Sequence, residues 1–145
     1  MCGIVGFTGK KSAAEILLKG LQSLEYRGYD SAGIAVLENK SFNTVKTVER
    51  IEKLIADTES GNSIKGNLGL GHTRWATHGA PSMENSHPHL SENAKFAVVH
   101  NGIIENYKEL RENLIKKYNK SNFTLIIKLI FYFQILHQKT SIYFS

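Results

Sequence analysis

Met1-Cys2-Gly3-Ile4-Val5-Gly6 opens the chain and carries its single cysteine directly behind the initiator methionine. Removal of Met1 would leave Cys2 at the N-terminus, with a thiol and a free α-amino group on one residue. An amine that is a mild base near neutrality can accept a thiol's proton, the N-terminal form of nucleophile activation. Read alone, Cys2 is also compatible with a small buried hydrophobe. The stretch continues to Thr8 as a short apolar run, CGIVGFT, bounded by Gly9-Lys10-Lys11, and reads as a strand.

Working outward, Ser12 and Glu15 have the spacing of a capping box ahead of Leu17, Leu18, Leu21 and Leu24, which predicts an amphipathic helix over residues 13–24. Residues 25–33 (EYRGYDSAG) have no helical or strand period and read as a functional loop. Two strands are expected at 33–38 and 43–48 around a turn at 38–41, then a short helix at 49–57 and a Gly/Ser/Asn linker at 60–67. A buried strand at 68–72 leads into a loop over 73–92, long enough to suggest function. Another strand at 95–100 precedes an amphipathic helix near 103–118.

With 145 residues the chain suffices for one domain with a real core. A content of 41% hydrophobic and 21% charged residues makes that domain globular rather than disordered. One cysteine excludes an internal disulfide, which fits a reducing, cytoplasmic setting, and the early lysines argue against a signal peptide. The net charge of +5 is not gathered into an Arg/Lys cluster interleaved with aromatics, so nucleic acid is not an expected partner. Residues 121–145 contain Lys128 and Lys139 and no acid. Within them, the apolar run 123–136 is too short to span a membrane, which needs about 20 residues. The organisation expected is therefore a domain over 1–120 and a divergent tail over 121–145, the tail resembling an out-of-frame or intron translation.

Two polar clusters punctuate apolar strands. In residues 71–79 (GHTRWATHG), Arg74 offers a planar fork for a carboxylate and Trp75 a cover for a ligand; a surface Arg beside a core Trp is the alternative. In residues 98–103 (VVHNGI), the Asn101 amide beside the Gly102 N–H at a helix start would suit an oxyanion, or would simply form a turn. His72, His78, His87, His89 and His100 lack an acidic or cysteine partner at a recognised ligand spacing, so no metal is expected.

Residues 1–6, 25–33, 72–79 and 100–106 (HNGIIEN), in that order, resemble the glutaminase domain of the glucosamine-6-phosphate synthases. These are class II glutamine amidotransferases of the N-terminal-nucleophile hydrolase superfamily. The resemblance covers residues 1 to about 118. Amidophosphoribosyltransferases and asparagine synthetases share the Cys2 start and the Asn-Gly pair, but their first loop differs from Tyr26-Arg27-Gly28-Tyr29-Asp30-Ser31.

The resemblance implies an α+β fold, a four-layer αββα sandwich of which this chain supplies part. It implies that Cys2 attacks the side-chain amide of L-glutamine and that Arg27 orients the nucleophile. Asn101 and Gly102 would hold the oxyanion, and Arg74 the α-carboxylate with Thr77 and His78 assisting. Trp75 would lie on a closing loop. No cofactor is implied; sugar isomerase domains and a homo-oligomer are implied for the parent enzyme. Beyond Tyr118, the family's Ser-Glu-Thr-Asp-Thr-Glu segment, whose Asp holds the substrate amine, is replaced by Ser121-Asn122-Phe123-Thr124-Leu125-Ile126. That departure leaves a second expectation, a non-catalytic truncated remnant, poorly soluble and inactive when expressed alone.

Overall fold

The computed structural model describes residues 2–76, 80–102 and 104–118. Strand β1 (Gly3–Thr8) leads into helix α1 (Ala13–Ser23) and a 3-10 turn (Glu25–Arg27). The hairpin β2 (Ser31–Glu38) and β3 (Ser41–Thr47) follows, then helix α2 (Ile51–Asp57), a second 3-10 turn (Glu59–Gly61) and strand β4 (Leu68–Arg74). Two short strands, β5 (His89–Leu90) and β6 (Ala97–Val98), and helix α3 (Tyr107–Tyr118) complete the described chain. The expected tail lies outside the described residues.

The first four strands form one antiparallel sheet in the order β1-β4-β2-β3, with Gly3 opposite Thr73 and Ile34 opposite Gly71. The hairpin turns on Asn39 and Lys40, both with positive φ (49° and 69°), the mirror-image turn whose twist suits adjacent strands. β5 and β6 pair separately, His89 opposite Val98.

Strand alternation sends Val5, Phe7, Ala32, Ile34 and Val36 to one face, where α1 (Ala13, Ala14, Leu17, Leu18, Leu21) and α2 (Ile51, Leu54) cover them. Gly69 and Gly71 stand on that face of β4. A Cβ at Gly69 would lie 2.8 Å from Leu17 Cδ1, so the absence of side chains lets α1 settle onto the sheet. On the opposite face, a Cβ at Gly33 would collide with the His87 carbonyl, which places the segment before β5 directly on β2. A helical layer, a four-stranded sheet and the start of a second sheet therefore stack in the order expected for the αββα sandwich.

Three local expectations differ from what is seen. Ser12 precedes α1 but makes no side-chain capping bond. Instead the first turn docks on the linker, Ala13 N–H donating to Gly66 O at 2.9 Å, so tertiary packing anchors the helix start through a first-turn donor other than the Glu15 N–H that a capping box serves. The loop expected over 73–92 contains the end of β4 and all of β5, and it is ordered locally by Ser86, whose N–H and hydroxyl both donate to Ser82 O. α3 begins at Tyr107 rather than 103, because the backbone turns at Ile104 before the helical ladder starts. In the loop after α1, Tyr29 serves structure: its hydroxyl accepts from Ile51 N–H at 2.6 Å, capping α2, and donates to Glu25 Oε1 at 2.8 Å. Burial first, and then the Glu25 hydrogen bond, push this phenol up to about 12, so it stays a neutral donor.

Candidate active site

The site forms on the sheet face turned away from α1 and α2, where β1 and β4 end together. Gly3 faces the helices, since a Cβ there would meet Leu24 Cδ1 at 2.6 Å. The residue before it, Cys2, therefore shares the far face with Ile4, and across the register with His72. Half-buried, the Cys2 sulfur sits against the backbone of one residue: Trp75 N–H donates to Sγ at 3.3 Å, and Trp75 O lies 3.7 Å away. Met1 lies outside the described residues.

Trp75 is half exposed and rests on Gly28. Gly28 has φ 72°, a conformation that side chains rarely adopt, and a Cβ there would press to 2.6 Å from Trp75 Cζ3. The loop residue thus does two things only glycine can do at once: it turns left-handed and gives the indole a floor. Arg27, just before it, is exposed, with its guanidinium 5.8 Å above the Tyr26 ring and its Nε donating to the Tyr26 hydroxyl at 3.3 Å.

Arg74 is buried at the end of β4. Its Nη1 donates to Ala80 O at 3.4 Å and stands 3.8 Å from Asp30 Oδ1, beyond hydrogen-bonding range. Asp30 is the residue that composition and motif reading overlooked. Its backbone N–H donates to Arg74 O at 2.8 Å, its carboxylate accepts from Ala76 N–H and from Ser31 Oγ, and it so fixes the path by which β4 leaves the sheet. The only sequence signal was an acid directly before a strand in the loop already singled out. Thr77 and His78 lie outside the described residues.

Asn101 and Gly102 are both exposed, and they do not start a helix: α3 begins five residues after Gly102. What orients Asn101 is His72, whose Nε2 lies 2.7 Å from Asn101 Oδ1. Sequence reading considered His72 only as a metal ligand; its period-2 relation to Leu70 and Arg74 on one strand face was the missed signal. Among the described residues no group of three His, Cys, Asp or Glu side chains could hold a metal, and no helix is long and apolar enough to cross a membrane.

His72, His87 and His89 pack against one another in the layer between the sheets, with successive ring centroids 4.4 Å apart, the first pair tilted by 31° and the second edge to face at 64°, and each residue buried. Burial is the main force holding His72 down to about 4, against a smaller upward pull from Asn101; Arg74 and His100 add to the lowering. His87 is also lowered, by burial first and then by His72, His89 and Lys46. A histidine whose folded value lies below its unfolded one contributes stability in full above about 6.5 and loses it as pH falls toward the folded value. For His72 alone, the drop from 6.5 to about 4 corresponds to about 3 kcal/mol. The urea midpoint should therefore fall steeply between pH 6.5 and 4, and His72→Phe should flatten that slope. A wild-type midpoint unchanged across this window would show that the imidazoles are not buried as neutral groups.

The sequence profile of the glutamine amidotransferase domain family matches residues 35–125. A glutamine–fructose-6-phosphate aminotransferase (isomerizing) of Clostridium perfringens is 57% identical over 117 residues, covering 81% of this chain and 19% of that protein. The enzyme of the same name from Staphylococcus epidermidis is 51% identical over 138 residues, covering 92% and 22%. The chain thus spans about a fifth of the length of these relatives. Among solved structures, the glutamine phosphoribosylpyrophosphate amidotransferase of B. subtilis superposes with a TM-score of 0.68 at 27% identity, over 88% of this chain and 28% of that one. A second structure, described as the allosteric regulatory enzyme of purine biosynthesis, gives 0.74 at 26% identity, over the whole of this chain and 30% of that one.

Proposed function

Because the chain belongs to the glutamine amidotransferase domain family, we propose that it is the glutamine-hydrolysing part of an enzyme transferring the glutamine amide nitrogen to fructose 6-phosphate. The observation that carries this reading is the Cys2 sulfur seated on the Trp75 peptide, one residue from Arg74 and on the same sheet face as His72, which holds Asn101. The sugar acceptor rests on the identity to the aminotransferases, roughly twice that to the purine-pathway structures.

With Met1 removed, the Cys2 sulfur attacks the side-chain carbonyl carbon of glutamine and its proton passes to the residue's own α-amine. The Asn101 amide and the Gly102 N–H hold the oxyanion. Collapse of the tetrahedral adduct expels ammonia with the returned proton and leaves a thioester on Cys2, which water hydrolyses to glutamate. Arg74 binds the α-carboxylate of glutamine with Thr77 and His78 assisting, Trp75 lies on the loop that closes over it, and Arg27 orients the nucleophile's end of the site. The released ammonia serves sugar isomerase domains elsewhere in the parent enzyme, a cytoplasmic homo-oligomer.

The test is mass spectrometry on the full-length protein after exposure to a diazo-ketone analogue of glutamine. One adduct on Cys2, suppressed by excess glutamine and accompanied by loss of glutamine-dependent glucosamine 6-phosphate formation, is the expected result. Adducts scattered over other nucleophiles, or none, would leave the non-catalytic remnant as the better reading.

A further inference from the structure

Among the buried groups that this mechanism leaves without a role, His72 is the one in direct contact with the machinery. It sits in the middle of the sheet, on β4 between β1 and β2, opposite Ile4 on one side and Gly33 on the other. Only 1% of it is exposed, and one of its nitrogens reaches an exposed asparagine. Its other nitrogen, Nδ1, has no hydrogen-bond partner among the described residues.

That asymmetry fixes which nitrogen carries the hydrogen. A buried N–H without an acceptor is rarer and costlier than a lone pair without a donor, so the single hydrogen of the neutral ring belongs on Nε2. An Nε2–H can be met only by an oxygen, which turns the Asn101 carbonyl oxygen inward and both hydrogens of Asn101 Nδ2 away from the imidazole. The buried His87 ring packs against that of His72, centroids 4.4 Å apart at a tilt of 31°.

We propose that His72 is a positioning residue for oxyanion binding: it locks the Asn101 side-chain amide in the one orientation that presents Nδ2, rather than Oδ1, to the developing negative charge. The inference rests on the oxyanion role given to Asn101 in the proposed function. Reversing the amide would aim an oxygen lone pair at an oxyanion, a repulsive arrangement, so losing the lock lowers the fraction of competent sites without touching the thiol or the glutamine α-carboxylate.

In the full-length enzyme, His72→Phe should lower kcat for glutamine hydrolysis by about 10- to 100-fold, short of the loss from deleting the donor itself. KM should move by less than about threefold, since uniform binding is untouched. Iodoacetamide should alkylate Cys2 at the wild-type rate. His72→Gln, whose terminal amide can place an N–H near the Nε2 position, should recover most of the rate. A residue needed only for packing would show no such rescue and no split between kcat and KM. In an Asn101→Ala background, His72→Phe should cost no further activity, because the two act as one unit. A full, independent loss in that background would overturn the inference while leaving the proposed function standing; a wild-type enzyme that does not hydrolyse glutamine would remove both. Nitrogen-15 shifts of the imidazole give a readout free of activity: an Nε2–H tautomer is expected, and an Nδ1–H tautomer would overturn the lock.

Discussion

Cys2→Ala is expected to abolish glutamine hydrolysis by the full-length protein, with a fall of at least about 10⁴-fold, the scale on which nucleophile deletions act. The expectation follows from position. Sγ is the sulfur held by the Trp75 peptide at the end of β1, and it belongs to the chain's single cysteine. Alanine removes the attacking atom but keeps the backbone on which β1 pairs with β4, so the fold and the glutamine site should persist. Ammonia supplied from solution should still support sugar amination, because that step does not use the thiol. Residual glutaminase activity above one hundredth of wild type would show that another nucleophile opens the amide. Loss of the ammonia-dependent reaction as well would instead point to collapse of the whole enzyme.

Asn101→Ala is expected to lower kcat by about 10²- to 10³-fold, or about 3–4 kcal/mol of transition-state stabilisation. Asn101 Oδ1 is taken by His72, so the amide has one free end, and that end carries donors. Donors aimed at a charge that exists only in the tetrahedral adduct contribute to kcat far more than to binding. Glutamine KM and the rate of Cys2 alkylation should therefore stay near wild type. A variant with normal kcat and strongly raised KM would move Asn101 from the oxyanion to the ground-state amide.

Local pattern was enough for most of the elements. The apolar period of α1 and the hairpin around Asn39 and Lys40 are each written into fewer than about 20 consecutive residues and form where that pattern places them, while the strand expected at 68–72 starts there and runs two residues further, to Arg74. The motif order also carried the family, with Cys2, Arg74 and Asn101 as its anchors. Ser12 and Glu15 show where local reasoning fails: the capping signal is present, yet the linker carbonyl of Gly66 reaches the Ala13 N–H instead. Packing of the linker fixes the helix start through Ala13, the residue after the cap, so the Ser12 side chain is not needed to anchor it.

The sequence by itself determined the elements, the glutaminase ancestry and the chemical types in the site. Tertiary structure alone decided how the elements assemble: β4 inserts between β1 and β2, although 29 residues separate β2 from β4, so that both hydrogen-bonding edges of the glycine-rich strand are paired. It also decided the partners of the site residues. Asp30 meets Arg74 across 44 positions and His72 meets Asn101 across 29, pairings set by strand register and layer stacking rather than by any period along the chain. Histidine chemistry illustrates the reason most directly: the composition supplies an imidazole near its ordinary range, and burial between two sheets, more than any other cause, keeps it neutral well below that range, with one hydrogen to give.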